Sequence, residues 1–292
     1  MAPLSLRRDA RTSDGVTAPL IFDRAARRAR RDRAAPDYAD HAFLHDAMLD
    51  GITDRLATVT RSFGDVLDLG CFDGRFQPPA GARIARCDAG FAFARAAGGV
   101  QADEDRLPFA DNSFDLVVSA GVLDQVDDLP GALSLIRRVL RPDGLFLGAF
   151  VGAGSLPALR AAVMTAEADR PVARFHPAID VRSAGDLLVR AGFALPVADV
   201  ETLDVGYRSV ARLLGDLRGM AASNVLRERS GIGRSALARV AAAFEDAGTD
   251  NRTPERFSMI FLTGWAPDPT QPQPAKRGSA TTSLVEALRP RR

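Results

Sequence analysis

The sequence is poor in the residues that redox, metal and nucleic-acid chemistry uses. Its 292 residues include two cysteines, three histidines, one tryptophan and a single lysine. Cys71 and Cys87 each stand at the predicted end of a buried strand, which favours apolar packing in a reducing compartment over a disulfide or a metal site. The formal net charge of +1 gives no global argument for nucleic acid or a membrane surface as a partner.

Long apolar runs are also missing. No segment reaches the length that spans a bilayer, and the chain does not open on a signal peptide, so we expect a soluble, cytoplasmic protein. With 46% hydrophobic and 26% charged residues, the chain can bury a full core. We predict one elaborated domain over residues 20–265, a disordered tail over 1–19, and a proline-rich linker with a mobile tail over 266–292.

The stretch that organises the chain is residues 65–76, DVLDLGCFDGRF. The apolar run over 66–69 predicts a strand buried on both faces, and Gly70 and Gly74 mark a turn in which the backbone approaches something closely. A strand followed by such a turn opens the ligand crevice of a doubly wound α/β domain. A tight turn without a ligand is the alternative interpretation.

Acidic side chains follow the next two predicted strands. Asp88 ends the second strand, where a carboxylate can accept both hydroxyls of a ribose. Asp103 and Glu104 follow the third strand, where they can accept hydrogen bonds from an exocyclic amine such as that of adenine. For Asp88 alone, a surface aspartate at a strand end is a plausible alternative interpretation.

The N-terminal part of the domain is predicted to be helical. Residues 24–33 carry six arginines with alanines between them, which favours a basic helix with a solvated face. A docking surface for an acidic partner is the alternative. Residues 38–63 place apolar side chains at helical spacing, so this helix should pack on the sheet. His41 and His45 lie one turn apart on it, but without a third ligand nearby an ordinary helix face is favoured over a metal site.

Four segments resemble the successive motifs of class I S-adenosylmethionine-dependent methyltransferases of the type 11 group. They stand in the family's order over the first half of the chain: VLDLGCFDG, RCDAG, QADEDRLPFADNSFDLVVSAGVLDQVDDLPGAL and RRVLRPDGLFLGAF. The resemblance implies a Rossmann-like α/β fold with a seven-stranded, mostly parallel sheet whose final strand is antiparallel. It also implies S-adenosyl-L-methionine as cofactor.

Carried over residue by residue, the resemblance assigns three parts of the cofactor to the crevice. Asp68, Gly70 and Gly74 would border its methionine part. Asp88 would border the ribose, and Asp103 with Glu104 would border the adenine. Within the domain, N-terminal helices over 20–63 and a cofactor-binding core over 64–151 would precede a substrate-side half over 152–265. The sequence itself predicts two amphipathic helices over 208–223 and 233–246, inserted between the last two strands, which could form a lid over the crevice.

The remainder of the chain resembles a narrower family. Segments between about residues 20 and 288, from LIFDR to TTSLVEAL, look like the methyltransferase-like assembly factors of respiratory complex I. Members of that family are implicated in hydroxylating an arginine of a complex I subunit. The same segments resemble, less fully, the malonyl carrier-protein methyltransferase of biotin synthesis.

The resemblance implies a bacterial methyltransferase that acts on a protein side chain, such as one of a complex I subunit, or on a small acid. Arginine hydroxylation, malonyl carrier-protein methylation and a catalytically degenerate assembly factor are the alternatives. Neither nucleic acid nor an integral membrane segment is expected. The oligomeric state is not specified by the sequence.

The chain departs from the methyltransferase pattern at the turn. Phe72 stands where the family has glycine, and its ring takes space that the approach of a ligand needs. The helix after the turn looks truncated, because Pro78 and Pro79 interrupt it. A short helix offers fewer free amides to the cofactor's carboxylate. These departures motivate the hypothesis of a protein that keeps the fold without turnover.

Asp124 is the candidate catalytic base, because it follows the fourth strand beside the crevice. The family usually has Leu-His-Trp here, where this chain has Leu-Asp-Gln. An N-cap for a helix over 127–140 is an equally good interpretation. With an arginine substrate, Asp124 and Glu201 could pair with the guanidinium. A non-haem iron triad needs two histidines and a carboxylate, and no motif position is matched by any of the chain's histidines, His41, His45 and His176.

Overall fold

The computed structural model describes residues 20–169 and 172–271. The predicted tail over 1–19 and the chain beyond residue 271 lie outside the described residues. The helices are α1 (Arg24–Ala34), α2 (Phe43–Ala57), α3 (Phe91–Ala96), α4 (Leu129–Val139), α5 (Pro157–Ala166), α6 (Val181–Arg190), α7 (Val210–Gly219) and α8 (Arg234–Asp246). The strands are β1 (Asp65–Leu69), β2 (Arg83–Asp88), β3 (Val100–Gln101), β4 (Phe114–Ala120), β5 (Leu140–Val151), β6 (Ala194–Tyr207) and β7 (Thr253–Trp265). Short 3-10 helices follow α1 and β4, at Ala35–His41 and Leu123–Gln125.

The strands form one seven-stranded sheet in the order β3-β2-β1-β4-β5-β7-β6. The first five strands in this order are parallel to one another, and β7 runs antiparallel to both β5 and β6. The predicted fold class, a mostly parallel α/β sheet with an antiparallel final strand, is confirmed. Its crevice lies at the carboxyl edge of β1, β2 and β4, where the strand order reverses.

The core lies on both faces of the sheet. Val66, Leu67 and Leu69 of β1 are completely buried, as the uninterrupted apolar run requires of a central parallel strand. On one face α2 covers the sheet with Met48 and Ile52, which are also buried. Both predicted bounds of the helix over 38–63 are wrong. The predicted start lies in a 3-10 helix that contains a proline, and α2 ends at Ala57, because three β-branched residues follow.

The segment between β1 and β2 contains no helix, and all of it lies within the described residues. The expectation of a truncated helix therefore understates the departure. Pro78 and Pro79 cannot donate backbone hydrogen bonds, and the chain turns through Gly81, at φ 80°, directly into β2. The crevice therefore lacks the helix N-terminus that this fold usually presents at its first turn.

Helices α7 and α8 lie between β6 and β7 in the chain, where the sequence predicts the two lid helices. Helix α5 packs against α8, and α7 packs against the 3-10 helix at Ala35–His41. The lid thus contacts both the N-terminal segment and the end of the sheet. No helix among the described residues combines the length and hydropathy that crossing a membrane requires.

Candidate functional site

The carboxyl edge of the sheet brings the predicted acidic residues together. Asp68 belongs to β1 and Asp88 ends β2, while Asp103 and Glu104 follow β3 directly. All four side chains are buried. Buried carboxylates need partners, because an isolated charge is costly in a poorly solvated site. We call Asp88, Asp103 and Glu104 the crevice acids.

The partner of Asp88 comes from helix α1. Arg31 Nε donates to Asp88 Oδ1 at 2.8 Å, and Arg31 Nη2 donates to Oδ2. The same two oxygens accept backbone amides, Oδ1 from Gly90 at 2.7 Å and Oδ2 from Phe72 at 3.0 Å. Asp88 is 0% exposed and Arg31 1% exposed. Both oxygens of the predicted ribose acceptor are therefore engaged by the chain itself.

The other two crevice acids are bound by the same helix. Arg27 holds Glu104 in a second bidentate pair, with Nη1 to Oε2 at 2.6 Å and Nη2 to Oε1 at 2.8 Å. Asp103 accepts from Arg28 at 2.6 Å and from Arg24 at 3.2 Å. Planar pairs of this kind are the strongest ion pairs that proteins make. Helix α1 therefore covers the ribose and adenine positions of the crevice.

These pairs correct the prediction of a solvated basic helix. Four of its six arginines, which we call the arginine face, point into the crevice: Arg24, Arg27, Arg28 and Arg31. The alternative, a surface that docks on acidic groups, is nearer to the finding, but the acidic groups belong to the same chain. Spacings of three and four residues put the four arginines on one side of a helix. That periodicity, set against the downstream acids, is the signal that could have revealed the contact.

Phe72 fills the turn at the centre of the crevice. Its backbone is left-handed, at φ 46°, and its side chain is only 3% exposed. The ring stacks on Tyr38, with centroids 4.8 Å apart, and the guanidinium of Arg31 lies 4.0 Å above the ring centroid. His45 and Phe93 close the remaining sides. An aromatic cluster thus occupies the space beside the first turn.

The two predicted turn glycines are required by contacts within the chain. Gly70 has φ 80°, and a Cβ there would lie 2.5 Å from the side chain of Val122. Gly74 has φ 77°, and a Cβ there would lie 3.0 Å from Ala97. Both close approaches are made by protein atoms. The alternative interpretation of the turn, tightness without a ligand, accounts for both glycines.

Asp68 is buried without a close partner. Its Oδ2 lies 3.8 Å from Arg86 Nε and makes no hydrogen bond. Desolvation raises the pKa of Asp68 to about 7, with Asp88 and Asp73 adding to the rise and Arg86 opposing it. A side chain with this pKa holds its proton below neutrality, so it is poorly suited to bind a cationic amine as a carboxylate.

Asp124 lies in the 3-10 helix after β4 and does not cap a helix. Helix α4 is capped by Asp128, whose Oδ1 accepts from Gly131 N at 2.8 Å, so the N-cap interpretation of Asp124 is wrong. Desolvation raises the pKa of Asp124 to about 6, against the opposing charges of Arg27 and Arg31. Its Oδ1 is buried without a hydrogen-bond partner. A carboxyl group with these properties fits a proton-transfer role.

A cavity of about 440 Å³ lies between the crevice and the lid, and we call it the lid cavity. Asp124 and Gln125 are among the residues that line it, and none of the three crevice acids lines it. Glu201 does not line it either: its Oε1 accepts from Arg55 Nη2 at 2.8 Å, so the structure does not join it to Asp124.

The three histidines have separate environments. His41 Nδ1 lies 2.8 Å from Asp216, His45 packs against Tyr38 and Phe72, and His176 Nε2 accepts from Val225 N. Within residues 20–169 and 172–271, no group of three or more histidine, cysteine or acidic side chains is placed to hold one metal ion. Cys71 and Cys87 are buried free thiols, and burial raises the pKa of each.

The crevice in this arrangement does not fit S-adenosylmethionine. Ribose hydroxyls need the oxygens of Asp88, which Arg31 already binds on both sides. The backbone approach at the first turn is taken by the ring of Phe72, and no helix follows that turn to bind a carboxylate. The residue types of a cofactor site are present, but the oxygens of Asp88 and Glu104 bind arginines of the same chain.

Comparisons with known proteins agree on the fold and on two groups of relatives. Residues 67–148 match the model of the methyltransferase domain. The chain is 33% identical over 287 residues to the mitochondrial arginine-hydroxylase NDUFAF5 of Danio rerio, covering 91% of this chain and 89% of the relative. It is 33% identical over 271 residues to a malonyl-[acyl-carrier protein] O-methyltransferase of Methylovorus sp., covering 85% of this chain and 90% of the relative.

A solved structure supports the fold alone. The YcgJ protein of Bacillus subtilis superposes with a TM-score of 0.54 and 15% identity, covering 77% of this chain and all of that one. The described sheet is therefore that of the class I methyltransferase fold.

Proposed function

Because the chain belongs to the family of methyltransferase-domain proteins that includes arginine-hydroxylase NDUFAF5 and the malonyl-[acyl-carrier protein] O-methyltransferases, we propose that it is a binding and assembly factor that transfers no methyl group. The partner we propose is a protein subunit of respiratory complex I, following the resemblance of the sequence to complex I assembly factors. We further propose that it works in the bacterial cytoplasm. The fold would then serve as a scaffold for binding.

One observation carries this proposal: the buried pair of Arg31 with Asp88. A ribose would have to displace a bidentate, water-excluded ion pair and two backbone amides to reach the same oxygens. Leaving Arg31 buried without its carboxylate would cost about 3–5 kcal/mol, the typical cost of breaking a buried ion pair. That cost is comparable to a large share of the binding free energy of a micromolar ligand, about 8 kcal/mol.

The first turn supports the same conclusion from a different direction. S-adenosylmethionine carries an α-carboxylate, which needs free amides or a helix N-terminus. The chain from Leu69 to Arg83 offers neither a helix nor an open turn, since Phe72 is buried in the aromatic cluster. Both the ribose end and the methionine end of the expected cofactor site are therefore obstructed under this proposal.

Methyl transfer to a protein side chain or a small acid is the second candidate function. Asp124 favours it, because a carboxyl group with a raised pKa and an unpartnered oxygen lines a cavity of substrate size. This function requires α1 to leave the crevice before the cofactor binds. The two candidates therefore differ in what the native chain does with S-adenosylmethionine.

Titration calorimetry of the full chain with S-adenosylmethionine and S-adenosylhomocysteine tests the proposal. We expect no binding tighter than about 1 mM, which corresponds to roughly 4 kcal/mol. Micromolar affinity for either compound in the unaltered chain would overturn the proposal and favour the enzyme.

A cellular experiment tests the role in assembly. In a strain that lacks the protein, we expect lower NADH–quinone reductase activity in the membranes, restored by the native chain and equally by Asp124→Asn. Normal activity in the deletion strain would contradict the assembly role. Loss of rescue by Asp124→Asn, at unchanged protein level, would instead support a catalytic carboxyl group.

A further inference from the structure

The lid cavity is a concave feature of the molecule that the crevice acids do not line. Its volume, about 440 Å³, is typical of small-molecule sites. The end of β5, helices α5, α7 and α8, and the segment over 174–178 enclose it. Most of its wall is apolar and includes Leu159, Val163, Phe175, Leu217, Val240 and Phe257. A cavity of this size and lining is suited to an aliphatic or aromatic body.

One side of the lid cavity carries positive charge that no carboxylate of the described residues neutralises by direct contact. Arg160 Nε donates to Ser155 O at 2.9 Å, and its guanidinium lies 4.4 Å from the ring centroid of Phe175. Among the described residues, no carboxylate lies within 4.0 Å of Arg160. Its two terminal nitrogens are therefore free to donate to a ligand.

Arg30 and His176 stand on the same side. Arg30 belongs to α1 but not to the arginine face, and it has no ion pair or side-chain hydrogen bond within the described part of the chain. His176 Nε2 accepts from Val225 N at 3.0 Å, so the proton of the neutral ring is on Nδ1, where it can be donated. Three donor groups thus face the cavity.

The electrostatics of these groups are consistent with an anion-accepting site. Desolvation lowers the pKa of His176 to about 4, and Arg30, Arg160 and Arg27 add to that shift. Desolvation also lowers the pKa of Arg30, with Arg229 and Arg33 contributing. The guanidinium charges therefore disfavour the protonated form of His176.

Two acidic groups lie in or beside the cavity, and each interacts with other groups of the chain. Asp124 lines the cavity with Gln125, and Arg27 and Arg31 favour its charged form. Glu255 attracts Arg160 from outside the cavity, and its Oε1 is engaged by the amide of Leu159.

Arg174, another arginine that lines the cavity, contributes little free charge. Arg174 is already paired with Glu167, and both of its side-chain arms reach carbonyl or carboxylate oxygens. Arg218 of α7 also lines the cavity. We call Arg30, Arg160 and His176 the positive side.

We propose that the lid cavity binds a medium-chain aliphatic carboxylate, with its carboxylate at Arg30, Arg160 and His176 and its chain along the apolar wall. The headgroup would supply the anion that these donors lack, and the chain would cover apolar surface that α7 and α8 leave open. This inference goes beyond the proposed function and does not depend on the state of the cofactor crevice.

Calorimetry of the full chain with decanoate below its micellar concentration tests the inference, with decan-1-ol as the uncharged match. We expect decanoate to bind at least about tenfold more tightly, because hydrogen bonds to charged groups add to the shared apolar contact. Arg160→Gln should remove that advantage and leave the decanol affinity unchanged. Arg212→Gln is the matched control, since Arg212 is an exposed lid residue that does not line the cavity.

A second readout reports the position of the headgroup. Because a bound carboxylate opposes the arginine charges, decanoate should raise the pKa of His176 followed by NMR, and decanol should not. Equal binding of the acid and the alcohol would overturn the proposal, as would an unmoved His176 or an unaltered affinity of Arg160→Gln. Failure of decanoate to bind at all would also overturn it, whatever S-adenosylmethionine does.

Discussion

Arg31 binds both carboxylate oxygens of Asp88 in a pair from which water is excluded. The pair joins the N-terminal helix to the end of β2, across 57 positions of the chain. Its guanidinium also lies over the ring of Phe72, so one side chain closes both the ribose position and the first turn. The state of the crevice therefore depends chiefly on where α1 lies.

Replacing Arg31 by methionine should lower the free energy of unfolding by about 3–5 kcal/mol, because Asp88 is left buried and charged. Adding Asp88→Asn removes that charge, so the double variant should recover a large part of the loss. Urea unfolding of the native chain, the two single variants Arg31→Met and Asp88→Asn, and the double variant gives the coupling energy. Arg83→Met is the control: Arg83 pairs with Asp65 at the surface, and its loss should cost under about 1 kcal/mol. Equal costs for the two arginines would contradict the assignment.

Phe72→Gly should destabilise the protein less than Phe93→Ala does. Both substitutions empty part of the same aromatic cluster, at about 3–5 kcal/mol for a buried phenylalanine. Phe72 alone has a left-handed backbone, and glycine relieves roughly 1 kcal/mol of that strain. Urea unfolding compares the two variants.

The same Phe72→Gly variant should gain affinity for S-adenosylhomocysteine in calorimetry, because the ring no longer fills the turn. No gain in a folded variant would count against Phe72 as an obstacle to the cofactor.

Asp68→Asn should reduce the loss in the free energy of unfolding that the native chain shows between pH 5 and pH 8. The folded pKa, about 7, lies above the unfolded one, so native stability is lost as pH rises from about 4 through 7. Asparagine stays neutral, so the difference in the free energy of unfolding between pH 5 and pH 8 should be smaller in the variant by roughly 3 kcal/mol. Urea midpoints at the two pH values measure it. Parallel pH profiles for variant and native chain would show that Asp68 ionises freely in the fold.

His45→Gln should flatten the loss of stability in acid. Desolvation lowers the pKa of His45 to about 3, with Arg75 contributing, whereas the unfolded histidine titrates near 6.5. Stability is therefore full above pH 6.5 and falls as pH decreases toward 3, with about 2 kcal/mol lost at pH 5. Thermal unfolding between pH 5 and 8 follows the effect. An unchanged acid slope would contradict the buried, neutral state of His45, although His176 contributes with the same sign.

Much of the fold follows from local pattern. The apolar run over 66–69 and the alternation of strands and helices were sufficient for a doubly wound sheet, because a central parallel strand must be apolar on both faces. The acids at the strand ends could also be placed, since parallel strands end at one edge of the sheet. What local pattern could not supply is the partner of each acid. Asp88 looks the same in sequence whether it binds a ribose or Arg31, because that choice depends on a contact between distant segments.

The interpretation of α1 failed for a related reason. Six arginines on a short helix favour solvation when charge is considered alone, since burying them is costly. The cost is offset here by carboxylates 75 to 81 positions further along the chain, at Asp103, Glu104 and Asp105. Phe72 and the two prolines after it, by contrast, were informative in sequence, because each is incompatible with a local geometry that the cofactor requires.

The long separation between α1 and its acids also has a consequence for the order of folding. Residues 24–34 are synthesised before β2 and β3, yet none of the arginine face can pair until the ends of these strands have formed. Contacts of such high sequence separation close late, since the chain between them must first be ordered. Helix α1 should therefore dock as the last step on a preformed sheet. Its amide hydrogen exchange in the native state would then report the opening of the crevice and not the melting of the core.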